Sequence, residues 1–259
     1  MASMTASIAF ALKENGWLKQ RGISQEPGFQ SHYKSNVTDV PYHTCSFLYH
    51  EGVRYNSANG EDKFVDNSFF RGLMGGFFLE MGAWDGIRKS NSLSFEIFYK
   101  WKGVLIEANP INFQKVVKNR PWGSINVEAV VCHAGESVEF AGKENTGRIS
   151  HKVNGGSQPC TPLQHILDIH NIRHIDFFSL DVEGAEMAVL ETIDFRGTSI
   201  SVFMIEVHAP FVDEASVVAA FLSKHGFLSV NCPRYYKCKK GKNANIFFVH
   251  KDFVRPCEP

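Results

Sequence analysis

The chain has 259 residues, of which 44% are hydrophobic and 22 are Phe, enough for one large packed domain with an extension. Its 27 basic and 27 acidic residues cancel, so no overall field draws it to nucleic acid or to an anionic membrane. The six cysteines (45, 132, 160, 232, 238 and 257) form no CxxC pair and are too sparse for a disulfide scaffold, which argues against a zinc site and predicts reduced thiols in a cytoplasmic protein. No apolar run is long enough for a membrane span, since the stretch from Ser7 to Leu12 is cut by Lys13. The lumen of the secretory pathway, after removal of an N-terminal anchor, is the alternative compartment, and Asn36-Val37-Thr38 is a sequon in keeping with it.

Residues 1–58 are weakly periodic and rich in Ser, Tyr, His and Asn, an extension expected to pack on a domain spanning 59–259. From Glu61 to Met74, apolar residues at 64, 65, 69, 73 and 74 predict a helix ended by Gly75-Gly76. Phe77–Met81 reads as a strand. Ser90 or Asn91 can cap the next helix, whose apolar positions Leu93, Ile97 and Trp101 lie four apart. After a strand at Val104–Glu107, Asn109-Pro110 starts a helix with Phe113, Val116 and Val117 as its buried face. A strand follows at Ile125–Val131, then an edge strand at Ser137–Phe140 and a polar loop to 160, then a helix to Asn171. Ile175–Leu180 is continuously apolar, as befits a strand buried on both faces. A helix at Ala185–Ile193, a strand at Ser201–Ile205 and a helix at Asp213–His225, with 217, 218, 221 and 222 buried, come next. Strands at Phe227–Asn231 and Ala244–His250 close a hairpin across the solvated basic loop Lys237–Lys242. The alternation of strands and helices predicts an α/β fold, a Rossmann-like doubly wound and mostly parallel sheet.

Ligands in such sheets bind at the carboxyl ends of the strands. Glu80, Asp85, Glu107, Asp181, Glu183, Glu206 and His208 all follow apolar strands there. Glu80-Met81-Gly82-Ala83-Trp84-Asp85-Gly86 differs from a dinucleotide turn, because Trp84 takes the place of the second glycine and Asp85 would face a pyrophosphate. An acidic turn suits a cofactor with no phosphate and with a sulfonium and an ammonium, which describes S-adenosylmethionine. Glu80 and Asp85 then hold its amino-acid end, Gly82 and Gly86 let it approach, and Glu107 accepts its ribose hydroxyls. Asn91 serves as helix cap, ligand contact or both.

The segments Phe78–Gly86, Ser90–Leu93, Ile106–Pro110, Asn119-Arg120 and Ser179–Glu186, with the lead-in Asn59–Phe64, resemble the FkbM-type S-adenosylmethionine-dependent methyltransferases over roughly residues 56–250. The resemblance implies a seven-stranded Rossmann-like sheet, O-methylation of a sugar or polyketide hydroxyl, Asp181 nearest the methyl group, and cofactor contacts from Ala83, Ser90, Ala108 and Ala129. Trp84 stands where that family commonly has a smaller or polar residue. A base should take the hydroxyl proton, and His208, with an unperturbed pKa of about 6.5, is the candidate, with Asp181 and Glu183 beside it. Alternatively Asp181, Glu206 and His208 hold a divalent metal that lowers the hydroxyl pKa. The acceptor is expected to be a small molecule or glycan. Nucleic acid is not expected, because no Asn/Asp-Pro-Pro-aromatic motif follows the 175–180 strand and Pro159-Cys160 precedes it. Glu186 reads equally as structural or functional, while Arg120 and Arg148 read first as solvated surface residues and, as the alternative, as contacts to a polar substrate.

Overall fold

Apolar runs that end in polar residues lie side by side as a seven-stranded, mostly parallel sheet in the computed structural model of the protein. Backbone is described at residues 44–45, 52–141, 148–150, 158–208, 212–233 and 243–257, and side chains at 52–138, 158–207, 215–233 and 245–257. The strands are β1 Thr44–Cys45, β2 Leu73–Met74, β3 Phe77–Met81, β4 Lys102–Glu107, β5 Ser124–Glu128, β6 Ser137–Ala141, β7 Arg148–Ser150, β8 Gln158–Pro159, β9 His174–Leu180, β10 Ser199–His208, β11 Phe227–Val230 and β12 Asn243–His250. The helices are α1 Glu61–Val65 with a π-helical continuation at Asp66–Phe70, α2 Leu93–Tyr99, α3 Pro110–Asn119, α4 Leu163–Ile169, α5 Glu186–Leu190 and α6 Val212–Lys224. The main sheet runs β11-β12-β10-β9-β3-β4-β5, with β12 antiparallel to both β10 and β11. Among the described residues no helix is long and apolar enough to cross a membrane.

Period-two alternation divides the strands between two cores. Leu79, Val104, Ile106, Phe178 and Phe203 join the helices α4, α5 and α6 on one face. Phe78, Leu105, Phe177, Val202 and Met204 join α1, α2 and Val116 of α3 on the other. Both faces of the sheet are therefore covered, which is why its strands read as unbroken apolar runs and why the ligand-accessible surface is left to their ends.

Several local expectations are corrected. The helix from Glu61 stops at Phe70, because Asp66 draws the chain into a reversal: its carbonyl accepts from Arg71 N–H at 2.6 Å and its Oδ1 from Gly72 N–H at 2.9 Å. Leu73–Met74 then pairs with Thr44–Cys45 instead of extending the helix. Val117 and Val217 are exposed, while Asn112, Val116 and Asn119 form the buried stripe of α3. Residues 135–160 carry a second small sheet, β7-β6-β8. Asn56 and Ser57, on the extension side of the boundary at 59, are bonded into the domain through the buried Asp62. The sequon at 36–38 and the basic loop at 237–242 lie outside the described residues, as does the side chain of Arg148.

Arg120 is no surface residue. It is wholly buried and bridges three elements: its Nε pairs with Glu96 of α2, Nη1 donates to the Gly86 carbonyl at 2.9 Å and to Ser90 Oγ at 3.3 Å, and Nη2 donates to Ser92 Oγ at 3.3 Å. Its guanidinium also lies 5.6 Å from the centroid of the Phe78 ring. Glu96 in turn accepts from Ser124 Oγ of β5, and Asn119 Nδ2 donates to the Asp85 carbonyl at 2.8 Å. The end of α3 thus clamps the whole segment from Asp85 to Ser92.

The reduced-thiol expectation also fails. Cys132 and Cys160 form a disulfide across a separation of 28 residues, and Cys232 and Cys257 are disulfide-bonded as well. Linear spacing hides the first bond, because it depends on a bridge between Val130 and Cys160 that appears only once the chain after β5 meets the start of α4.

Two stability predictions follow from these contacts. The variant Cys132→Ala/Cys160→Ala should lose about 3–4 kcal/mol in denaturant titration, the chain-entropy value for a loop of this length; an unchanged midpoint would remove the bond from the fold's energetics. Arg120→Ala leaves Glu96 buried without its cation and should cost about 3–5 kcal/mol, whereas the double variant Glu96→Gln/Arg120→Met should lose less. Equal losses in the two would show that packing, not charge, dominates there.

Candidate active site

The carboxyl ends of β3, β4, β9 and β10, with the segment just after β5, surround a cavity of about 360 Å³, within the range that holds drug-sized ligands. It straddles β3 and β9, neighbours in the sheet from which the chain winds in opposite directions, the position where α/β sheets open a crevice. One half is walled by Met81–Trp84, Ile106–Asn109 and Ala129–Val131. The other is walled by Asp181–Glu183, Glu206, Asn245, Asn59 and Glu61. Among the described lining residues, the carboxylates of Glu61, Glu80, Glu107, Asp181, Glu183 and Glu206 face only two cations, Arg88 and Lys89. Such a lining suits a cationic ligand.

In the first half, Glu80 is buried at the end of β3. Its Oε1 accepts from Asn91 N–H at 2.8 Å, and its Oε2 accepts from Ser90 Oγ at 2.7 Å and from the Ser92 hydroxyl. Asn91 Nδ2 reaches across to Ser179 Oγ of β9 at 3.0 Å. Gly82 adopts φ +76°, and a Cβ there would lie 1.9 Å from the carbonyl oxygen of Asp181. The glycine is therefore demanded by the approach of β9's end, besides lining the cavity. Gly82 and Ala83 both donate N–H to the Ile106 carbonyl, at 3.1 and 3.2 Å. Trp84, at φ 52°, donates its N–H to Glu107 Oε2 at 2.7 Å, while Glu107 Oε1 accepts from Asn109 N–H at 2.9 Å. Burial pushes the Glu107 carboxyl above the usual range, and the Asn109 and Trp84 amides pull part of the way back. The Trp84 ring carries Arg88 at 5.5 Å and Lys89 at 5.9 Å from its centroid.

Three sequence candidates build the turn without lining the cavity. Asp85 Oδ1 accepts from the Ile87 and Arg88 amides at 2.9 and 2.7 Å, and Oδ2 pairs with Arg88 at 3.3 Å. Gly86 lies against Arg120 and Val116. Ser90 Oγ accepts from Leu93 N–H at 3.1 Å, opening α2, while donating to Glu80. Ala108 and Ala129 do line the cavity.

In the second half, Asp181 donates its N–H to the Met81 carbonyl at 3.2 Å. Glu206 is opposite Asn245 in the β10–β12 ladder. Of the suggested metal set, Asp181 and Glu206 share the cavity. His208 ends β10, paired in register with Asn243, and its side chain lies outside the described residues. Among the described residues one group has three potential metal ligands, Cys132, Glu136 and Cys160, and its two sulfurs are already joined to each other.

Sequence reasoning passed over Asn59, Glu61 and Asn245. Glu61 Oε2 accepts from Asn59 N–H at 2.8 Å, and its Oε1 from Asn59 Nδ2 at 3.0 Å and Asn245 Nδ2 at 2.6 Å, a polar knot between the start of α1 and β12. The usable signal was Asn59-Gly60-Glu61, a turn with an acidic first helical residue. Nothing in the local sequence announces Asn245.

Comparison with known proteins accords with this geometry. The methyltransferase FkbM domain model matches residues 80–229. No curated protein matches the chain. Similar solved structures include precorrin-6y C5,15-methyltransferase from Geobacter metallireducens GS-15, at 13% identity and TM-score 0.44 over 76% of this chain and 94% of that one. A TehB-like SAM-dependent methyltransferase from Corynebacterium glutamicum has 14% identity and TM-score 0.43 over 76% and 90%. The 23S rRNA methyltransferase ErmE has 9% identity and TM-score 0.42 over 79% and 72%. The family match takes in more than half of the chain, including the ends of β3, β4, β5, β9 and β10 that frame the cavity, and the chain belongs to the FkbM-domain family of S-adenosylmethionine-dependent methyltransferases.

Proposed function

We propose that the methyl group is delivered to a hydroxyl oxygen of a polar acceptor, with a sugar or glycan as the leading class. The observation that carries this reading is the polar composition of the second half of the cavity, which is lined by Asn59, Glu61, Asp181, Glu183, Glu206 and Asn245. Hydroxyl-rich molecules are recognised by such groups, whereas a polyanion would meet carboxylates. The balanced net charge supports the same choice over nucleic acid.

S-adenosylmethionine supplies an electrophilic methyl group on a cationic sulfur. The protein's own residues must hold that donor, align the acceptor oxygen and take its proton. Glu80, with Gly82, Ala83 and Asn91, is assigned to the amino-acid end. Glu107 is assigned to the ribose hydroxyls, and Ala108 and Ala129–Val131 to the base. Asp85, Gly86 and Ser90 act by holding the turn. Asp181 and Glu183 border the acceptor, and His208, two residues beyond Glu206, is assigned the hydroxyl proton. The metal variant of the mechanism uses Asp181, Glu206 and His208 as ligands instead. Paired cysteines persist in oxidising compartments, which supports the secretory pathway as the site of action.

Calorimetry with S-adenosylhomocysteine tests the donor half. Glu107→Ala should weaken binding about 10- to 100-fold, the value of hydrogen bonds to a charged group. Hydroxyl donors prefer the ionised carboxylate, and burial raises its pKa, so affinity should decline with falling pH already above the ordinary glutamate value of about 4.3. Glu107→Gln should bind more weakly at neutral pH and lose that slope; a slope retained in Glu107→Gln would assign it to another group.

Mass spectrometry of products from a glycan panel tests the acceptor half, and transfer exclusively to nitrogen or carbon would overturn O-methylation. His208→Ala should lower turnover about 100-fold or more while leaving S-adenosylhomocysteine affinity within about threefold, the range expected of a proton-transfer group. Loss of activity on chelation, restored by a divalent ion, would favour the metal mechanism over base catalysis.

A further inference from the structure

The turn between β9 and α5 rests on a carboxylate that the reaction outlined above leaves without a role. Glu186 is fully buried, and its Oε1 accepts from the amides of Val182 and Gly184, each at 3.2 Å. Between those amides lies Glu183 at φ 57°, followed by Gly184 at φ 102°. A non-glycine residue in left-handed backbone costs on the order of 1–3 kcal/mol and persists only where its surroundings over-determine it. Successive amides in such a turn form a small concavity that binds anions. Here the accepting oxygen is supplied by the chain itself, from Glu186, three residues beyond Glu183.

The same turn is fixed from its other side. Asp181 N–H donates to the Met81 carbonyl, and the Asp181 carbonyl closes on Gly82 so tightly that a Cβ could not intervene. Asp181, Val182 and Glu183 line the cavity, and Glu186 stands behind them, outside its lining. The strain at Glu183 is thus held in place between β3 and Glu186, at the border between the donor and acceptor halves.

We propose that Glu186 is a positioning residue for methyl transfer: by gathering the Val182 and Gly184 amides it holds the strained turn that presents Asp181 and Glu183 to the acceptor. This deepens the reading of the cavity as a methyl-transfer site. Glutamine keeps one carbonyl oxygen able to accept both amides, whereas alanine keeps none, so the two substitutions separate geometry from charge.

Amide hydrogen exchange, S-adenosylhomocysteine calorimetry and steady-state kinetics on Glu186→Gln and Glu186→Ala test it. In the wild type and Glu186→Gln, the Val182 and Gly184 amides should exchange slowly, and kcat should agree within about threefold. In Glu186→Ala, exchange at those amides should accelerate about fivefold or more, as for a lost hydrogen bond. Its kcat should fall about 100-fold, as for a displacement near 1 Å, with S-adenosylhomocysteine affinity within about threefold of wild type. The proposal is overturned if Glu186→Gln is as impaired as Glu186→Ala, since charge would then be the requirement. It is also overturned if Glu186→Ala loses cofactor affinity in proportion to kcat, or if the two amides exchange freely in the wild type. Should Glu186→Ala not fold, exchange in the wild type and the kinetics of Glu186→Gln still decide. Should the wild type methylate no hydroxyl, the assignment to O-methylation falls, while exchange and calorimetry continue to judge Glu186.

Discussion

Glu80 carries the burden of joining scaffold to site. A carboxylate at the end of a buried strand must be compensated by donors, and here three come from consecutive residues: the Ser90 hydroxyl, the Asn91 amide and the Ser92 hydroxyl. That one group therefore fixes the entry to α2. The same two hydroxyls accept from Arg120, whose charge is met by Glu96, whose other oxygen is met by Ser124. A chain of alternating charge and hydroxyl runs from the cavity wall through α2 and α3 to the edge of the sheet. Glu80, Ser90, Ser92, Arg120 and Glu96 are all buried, so the turn after β3 cannot shift without breaking several bonds in a low-dielectric interior. The acidity of the turn and its rigidity have the same source.

This explains why the residues walling the first half of the cavity stand out in the sequence. Glu80, Gly82, Asn91 and Glu107 lie within or just after apolar runs, in an order that the strand–helix alternation dictates. Their neighbours in space are near neighbours in sequence or occupy the next strand. The second half of the cavity obeys no such rule. Glu61 meets Asn245 from 184 residues away, and the pairing follows from β12 folding back antiparallel to β10. Tertiary placement, not local pattern, makes that wall.

The misplaced expectations have similar causes. Arg120 reads as a surface residue until the interior of the clamp is known, because charge suggests solvent unless a partner is visible. Asp85 reads as a ligand group because it sits in the turn; it lies outside the cavity lining, and its Oδ1 closes the backbone on itself through the Ile87 and Arg88 amides. Val117 reads as part of the buried face of α3 because it is apolar, whereas the stripe steps by four and three through Asn112, Val116 and Asn119, two of them polar, and leaves Val117 exposed. Cysteine pairing needs the encounter of the chain after β5 with the start of α4, which no spacing rule contains.

Half of the described non-glycine residues in left-handed backbone gather at the cavity. Of the non-glycine residues in left-handed backbone, Trp84, Lys89 and Glu183 all border the cavity. Each is held by something specific: Trp84 by the Glu107 carboxylate on its amide, Lys89 by a backbone bridge to Ser57, and Glu183 by the two amides gathered on Glu186. The Trp84 contact is the most informative, because it couples two residues of the cavity lining. Glu107 both fixes the backbone that displays the indole and faces the cavity with the same carboxylate. An aromatic ring bearing two cations is thus set on a turn held by that acid. The departure at Trp84 from a small residue is thus compatible with the site: the residue is anchored through its backbone and lines the cavity.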